Sequence, residues 1–318
     1  MLTKPSRLAK PARAIIHDSP RARRAPTPAA HSPESQRALL RRTRQPPFDS
    51  LEVDYSQPNL WLELIAGDRP LFSGLWAFET TVGGSSLSAA GPWEEVCRHT
   101  DREVDYLELE LSLSGGWRLQ RQMALARNDD FLYLADALIG PQPLAESERT
   151  EIRHSFQLPF AAGNRFEPAA ETREGALYRG RKRLALVVPP ALPEWRAEFC
   201  PGGLAIAKNE LVVSHATHGR NLYSPLWLDL SPARLRRECT WRRLTVGENL
   251  EVQPRDVAAG FRVQSGKEQW LVYRSLAPRG NRTVLGQNYT SEFVLCRFLS
   301  SGKTEDILEI EKGHSGRL

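Results

Sequence analysis

The chain has 318 residues, of which 41% are hydrophobic, which suffices for one large or two ordinary domains. Residues 1–45 carry eleven Lys or Arg and two Asp or Glu, a net charge of +9, whereas the rest of the chain carries −4. The excess positive charge therefore describes the N-terminal segment alone, and the remainder does not have the composition of a nucleic-acid-binding domain. Long apolar runs are absent from the sequence, so we predict a cytoplasmic protein without a membrane span.

The N-terminal segment, residues 1–47, contains eight prolines, scattered arginines and few large apolar side chains. Such a segment cannot bury enough surface to offset the entropy lost on ordering, so we predict a disordered basic arm. A short helix over residues 33–40 is an alternative within it, because Ser32 can cap that helix and Pro33 suits its first turn. The arginines of the arm could make nonspecific contact with a polyanion.

From Leu60 onward, short runs of aliphatic and aromatic residues alternate with Gly, Pro, Asn and Ser clusters, a pattern typical of strands and turns. We find neither a sustained amphipathic helix nor a repeat of fixed period, which disfavours a solenoid or a propeller. We therefore predict an all-β fold for residues 48–318, a large and mainly antiparallel β-sandwich of the super-sandwich type.

Two features near residue 100 are candidates for function. Trp93 is predicted to lie in a loop, where its indole face could stack on a sugar. His99, Asp101 and Glu103 alternate ahead of a leucine-rich strand, and in an unbroken strand they would project together and could bind a ligand or a divalent metal or act as acid and base. That strand would have 15 residues, against a usual length of about five or six, so a break near Arg102 is the favoured alternative.

Residues 104–113 and 117–127 both alternate, and Ser114, Gly115 and Gly116 separate them. A three-residue loop with Gly116 in a left-handed conformation keeps their apolar faces together, whereas a two-residue loop would not.

The three-residue loop places Arg121 on the apolar side, where an unpaired guanidinium would cost several kcal/mol. Asp136 is its predicted partner, because residues 131–138 are apolar on both faces and therefore form a central strand. Two roles are open for this pair, a structural ion pair that fixes the strand register and a ligand-binding pair.

His215 and His218 are three residues apart, a spacing that suits a metal only on a helical turn or in a tight loop. The strand-like residues before them and Gly219 after them favour a turn with two polar tips over a metal site.

The cysteines lack the close spacing of a zinc site or a redox motif, so we predict four free thiols: Cys97, Cys200, Cys239 and Cys296. The sequence also lacks the phosphate-binding glycine loop, the nucleophile elbow and the zinc-protease motif. We predict no cofactor, and keep a divalent metal as the alternative. The oligomeric state is not predicted.

Residues 117–121, 130–136 and 152–159 carry a resemblance to a known family: an arginine strand, then an apolar strand that ends in Asp, then a strand that contains His154. In this order they resemble the β-sandwich domain of heparinase II/III-type polysaccharide lyases, over residues 100–190. In that family the sandwich follows an α/α toroid that supplies much of the catalytic site, and no helical toroid fits this sequence. The resemblance implies the sandwich architecture and a polysaccharide ligand, and we transfer no catalytic residue.

Three functional hypotheses follow. The first is a non-catalytic, carbohydrate-associated or interaction module that binds through Trp93, His99 and Asp101. The second is a carbohydrate-active enzyme, lyase-like or epimerase-like, that uses His99, Asp101 and Glu103. The third is a scaffold whose basic arm, residues 1–47, binds a polyanion.

Overall fold

The computed structural model describes residues 31–32, 35–42, 49–141, 149–278 and 280–311. Within these ranges the chain forms strands, turns and a single 3-10 turn at Ser114–Gly116, so the predicted all-β fold is confirmed. The strands are β1 (His31–Ser32), β2 (Arg37–Arg41), β3 (Ser50–Asp54), β4 (Leu60–Ala66), β5 (Arg69–Trp76), β6 (Phe78–Val82), β7 (Ser85–Ser86), β8 (Ala89–Thr100), β9 (Val104–Leu113), β10 (Arg118–Ala126), β11 (Phe131–Ile139), β12 (Thr150–Pro159), β13 (Asn164–Pro168), β14 (Gly175–Arg179), β15 (Lys182–Val188), β16 (Gly202–Ala207), β17 (Glu210–Gly219), β18 (Asn221–Asp229), β19 (Cys239–Leu244), β20 (Gly247–Glu248), β21 (Glu251–Val252), β22 (Ala258–Ser265), β23 (Glu268–Ser275), β24 (Arg282–Val284), β25 (Gln287–Tyr289), β26 (Phe293–Phe298) and β27 (Thr304–Ile310).

These strands form five antiparallel sheets. The N-terminal sheet has the order β1-β2-β3-β4-β5, and the central sheet has the order β13-β14-β15-β18-β11-β10-β9-β8. The groove sheet, so named for the feature described below, has the order β16-β17-β12-β6-β7. The C-terminal sheet has the order β19-β22-β23-β26-β27, and the small sheet has the order β21-β20-β24-β25.

The central sheet is buried on both faces. Leucines of β9, β10 and β11 on one face pack against apolar residues of the N-terminal and groove sheets. The other face, with Tyr106 and Tyr133, packs against the C-terminal sheet, whose far side covers a smaller cluster shared with the small sheet. The sheets are therefore stacked in layers, because a sheet with two apolar faces must be covered on each side.

The hairpin of β9 and β10 has the predicted register. Leu109 lies opposite Arg121 and Leu111 lies opposite Leu119, and Gly116 has a φ of +76° in the loop between the strands. β11 lies between β10 and β18 and is buried along its whole length, as predicted for a central strand.

The prediction of a disordered arm up to residue 47 is wrong for residues 37–41. These residues form β2, which pairs with β3, and not the alternative helix over 33–40. Ala38 and Leu40 alternate on the strand and are buried in the core, so pairing with β3 provides the apolar contacts that the segment lacks by itself. The predictions for residues 1–30, 33–34 and 43–48 lie outside the described residues. An arm truncation that tests polyanion binding must therefore end before Arg37.

The four cysteines are free, as predicted, with Cys97 and Cys296 buried. In the described part of the chain, no helix has the length and apolar character needed to cross a membrane.

Candidate functional site

A groove of about 380 Å³ opens on the solvent-facing side of the groove sheet. Its walls come from β6, β12, β16 and β17 and from the residue that precedes β16; they are Glu79, Thr81, Arg153, His154, Ser155, Pro201, Gly202, Ser214, His215 and Ala216.

The strand register explains the polar character of this groove. Arg153 lies opposite Thr81 on one side, and Ser155 lies opposite Ser214 on the other. Directly paired residues of antiparallel strands project to the same face, so polar side chains accumulate on the outer face of the sheet while the alternate residues enter the core. Gly202 lies opposite His215, and a Cβ at Gly202 would lie 2.5 Å from the backbone oxygen of Ser214. The missing side chain thus allows β16 to approach β17 at the groove.

Beneath the groove, a chain of hydrogen bonds links the groove sheet to the central sheet. His154 Nε2 donates to Asp136 Oδ2 at 3.0 Å, and His154 Nδ1 accepts from Thr80 Oγ1 at 2.8 Å. Asp136 also accepts from Arg121 Nε and Nη2, each at 2.7 Å. Both nitrogens of the buried His154 are therefore engaged.

The predicted ion pair of Arg121 and Asp136 is thus present, with both side chains fully buried. Arg121 Nη1 also donates to the carbonyl of Trp76 at 2.9 Å, and its guanidinium lies 3.9 Å from the centre of the Trp76 ring. Burial opposes ionisation of Asp136, but the charge of Arg121 and the hydrogen bonds from Arg121 and His154 outweigh burial and lower its pKa to about 2. The pair connects β10 to β11 and connects both to the groove sheet.

His215 forms part of the groove wall and has a defined tautomer. Its Nδ1 lies 3.1 Å from the carbonyl oxygen of Tyr223, so this nitrogen carries the proton and donates. Burial lowers the pKa of His215 to about 4. The imidazole is therefore neutral near pH 7, and its Nε2 is a hydrogen-bond acceptor.

The segment over residues 189–201 leads into the groove and exposes two aromatic rings. Trp195 is 51% exposed and Phe199 is 91% exposed, and the segment ends at Pro201 in the groove wall. Arg173 is buried beneath this segment and donates to four of its carbonyl groups, those of Pro193, Trp195, Arg196 and Glu198. A planar guanidinium with several fixed acceptors holds the segment in one conformation, so the backbone at Trp195 is held in place.

The prediction that Trp93 lies in a loop is wrong. Trp93 is in β8, is 2% exposed, and donates from Nε1 to the carbonyl of Pro58 at 2.8 Å. The neighbouring Pro92 favours a loop in the sequence, but an irregular edge strand tolerates proline. β8 is such a strand, since it lies at the edge of the central sheet and is irregular on both sides of Trp93. A buried indole cannot present its face to a sugar.

His99, Asp101 and Glu103 do not lie on one strand, because residues 101–103 form the turn between β8 and β9. His99 Nε2 lies 3.1 Å from Asp101 Oδ2, and Asp101 accepts from the backbone amides of Glu103 and Val104. Burial opposes ionisation of Asp101, but these hydrogen bonds outweigh it and lower its pKa. Glu103 forms an ion pair with Arg297 instead. A ligand-binding role for His99 and Asp101 stays a prediction, and the three residues do not form a catalytic row.

The prediction of a turn at His215 and His218 is wrong, because both residues lie within β17. Residues three apart on a strand project to opposite faces, so these two imidazoles cannot ligate one metal together. Among the described residues, no group of three or more His, Cys, Asp or Glu is arranged to hold a metal.

Sequence reasoning missed Trp195 and Phe199. Residues 189–201 have no alternating pattern to reveal exposure, and prolines at 189, 190 and 193 indicate only a loop.

No family model and no curated protein matches the sequence. Among solved structures, a heparan sulfate lyase HepC mutant from Pedobacter heparinus matches with a TM-score of 0.51 and 13% identity, over 80% of this chain and 44% of that chain. A heparinase III, the BT4657 gene product, matches with a TM-score of 0.50 and 9% identity, over 78% of this chain and 42% of that chain. The chain thus spans less than half the length of these proteins, and the predicted partial resemblance to heparinase-type lyases is confirmed at the level of the fold.

Proposed function

We propose that this protein is a carbohydrate-associated β-sandwich module that binds a glycan in the groove of the groove sheet, next to the aromatic rings of Trp195 and Phe199. The observation that carries the proposal is a polar groove that the segment over residues 189–201 leads into, a segment with an ordered backbone and an exposed tryptophan. The location differs from the Trp93 region of the sequence prediction, while the class of function is the same.

The groove has the size and chemistry for an oligosaccharide. A volume of about 380 Å³ lies within the range of about 300–1,000 Å³ that is usual for ligand sites. Ser155 and Ser214 provide hydroxyl groups, and Glu79 and Arg153 provide one charge of each sign. Such a set can donate to and accept from the hydroxyl groups of a sugar.

The ordered backbone around Trp195 lowers the cost of binding. A backbone segment that is already ordered loses little conformational entropy when a ligand binds to it. Because Arg173 holds the backbone of residues 193–198 through four carbonyl groups, the segment that carries the indole is in place before the ligand arrives. The amphipathic rings of Trp and Phe suit the apolar faces of sugars.

The fold supports a carbohydrate connection by likeness alone, since the structures with this fold include proteins named heparan sulfate lyase and heparinase III. We propose binding without catalysis, because both nitrogens of His154 are engaged by Thr80 and Asp136. A pKa of about 4 also makes His215 a weak general base near neutral pH.

The test is calorimetric titration of the full chain with a panel of neutral and anionic oligosaccharides. We expect measurable binding to at least one glycan, and Trp195→Ala should weaken it about tenfold, or about 1.4 kcal/mol. The matched control is Leu75→Ala, which removes a half-exposed apolar side chain from the N-terminal sheet and should leave affinity unchanged. Absence of binding at millimolar glycan, or equal affinity in the Trp195 variant, would refute the proposal, and turnover of the bound glycan would refute its non-catalytic part.

A further inference from the structure

A second recess lies where the groove sheet, the central sheet and the C-terminal sheet meet. It measures about 20 Å³, room for one small group and far too little for a sugar ring. His215 and Thr217 of β17, Tyr223 of β18 and Arg243 of β19 line it together with Arg255. His215 also lines the groove, so this residue borders both spaces.

The two arginines of this recess differ from the other arginines near the sheet junctions. Arg234, for example, forms ion pairs with two carboxylates, and Arg297 forms ion pairs with three. Arg243 and Arg255 have neither a hydrogen bond nor an ion pair to any residue in the described ranges. Both side chains are exposed at the surface and line the same recess, so two positive charges lie close together there. Burial and the nearby charge of Arg255 lower the pKa of Arg243 to about 10, against the opposing charge of Glu198.

We propose that this recess binds the oxyanion of a sulfate, phosphate or carboxylate group, held between Arg243 and Arg255. Two guanidinium groups offer paired N–H donors that match the oxygens of such a group, and Thr217 adds a hydroxyl donor in the same wall. A bound anion offsets the repulsion between the two arginines. The pair should therefore bind the anion more tightly than a single surface arginine would. The site goes beyond the glycan groove and does not depend on it.

His215 links this site to pH. Burial lowers the pKa of His215 most, the hydrogen bond from its Nδ1 to the carbonyl of Tyr223 raises it, and the charges of Arg255 and Arg243 lower it further. An anion in the recess offsets the positive charge of the two arginines and so favours the protonated imidazole of His215. Anion binding is therefore accompanied by proton uptake. Affinity for sulfate, whose charge is constant in this range, should therefore rise as the pH falls from 7 to about 5.

In the experiment the full chain is titrated with sodium sulfate. Sodium chloride is reduced as sulfate is added, so that the ionic strength stays constant. We expect binding in the millimolar range, weakened at least tenfold by Arg243→Ala and by Arg255→Ala. Arg242→Ala is the matched control, because Arg242 is exposed on β19 as Arg243 is but projects to the other face of the strand, where it lies opposite Arg262. This variant removes the same charge and should bind sulfate as the wild type does. Circular dichroism establishes that each variant is folded.

Three further measurements complete the test. His215→Gln should remove the pH dependence of sulfate affinity. Trp195→Ala should leave sulfate binding unchanged, so failure of the glycan groove and failure of this site are distinguishable. Parallel titrations with inorganic phosphate and with a sulfated disaccharide show whether the site prefers a free anion or an anionic group on a larger ligand. If phosphate or the disaccharide binds more tightly than chloride, the result supports the site. Equal sulfate affinity in the wild type and the Arg243 and Arg255 variants would overturn the proposal.

Discussion

Replacing Asp136 with asparagine removes one charge from the centre of the molecule and leaves the shape of the side chain almost unchanged. In the wild type the carboxylate accepts two hydrogen bonds from Arg121 and one from His154, and all three side chains are buried. The variant leaves the buried Arg121 guanidinium without a counter-charge. Breaking a buried pair in this way costs about 3–5 kcal/mol.

The lowered pKa of Asp136 indicates a stabilisation of the same sign. Its shift from 3.8 to about 2 corresponds to about 2 kcal/mol of stabilisation of the ionised form. Because the folded-state pKa lies below the unfolded value, this contribution is complete above about pH 4 and is lost as the pH falls towards 2. The stability difference between the wild type and Asp136→Asn should therefore shrink over that window.

Urea unfolding followed by tryptophan fluorescence measures both effects. Glu167→Gln is the matched control, because it neutralises the carboxylate of an exposed ion pair with Arg165, in which both side chains are about half exposed. That variant should change the free energy of unfolding by less than about 1 kcal/mol. An Asp136→Asn variant that loses no more stability than Glu167→Gln would refute the argument that the buried pair holds the sheets in register.

Other expectations concern single positions. Gly202→Ala should destabilise the fold by about 1–3 kcal/mol and weaken glycan binding, since its Cβ would meet the Ser214 backbone oxygen at 2.5 Å. The control is Gly203→Ala, whose Cβ would lie 3.9 Å from its nearest neighbour and which should change neither stability nor binding. Equal stability of the two variants in urea unfolding would contradict this expectation. Trp93→Ala should lower the free energy of unfolding by about 3–5 kcal/mol, because the indole is buried, and a fully stable variant with impaired binding would contradict that. Arg173→Lys should speed proteolysis between residues 189 and 201, since an ammonium group cannot serve four carbonyls at once; an unchanged cleavage rate would show that the segment is held by other contacts.

The sequence by itself determined the all-β class, the register of the β9–β10 hairpin and the pairing of Arg121 with Asp136. These features depend on a period of two and on a three-residue turn with Gly116 in a left-handed conformation, both of which act between residues close in the chain. An arginine on an apolar strand face must find a carboxylate, so its partner could be sought in the next strand.

Only the tertiary structure decided which polar residues meet. His154 reaches Asp136 because β12 belongs to a different sheet that packs on β11, and no local pattern encodes the stacking of two sheets. The same stacking buried Trp93, exposed Trp195 and brought Arg243 to Arg255 at a junction of three sheets. Burial is a property of the assembled layers, so a residue's alternation on its own strand cannot reveal whether a further sheet covers it.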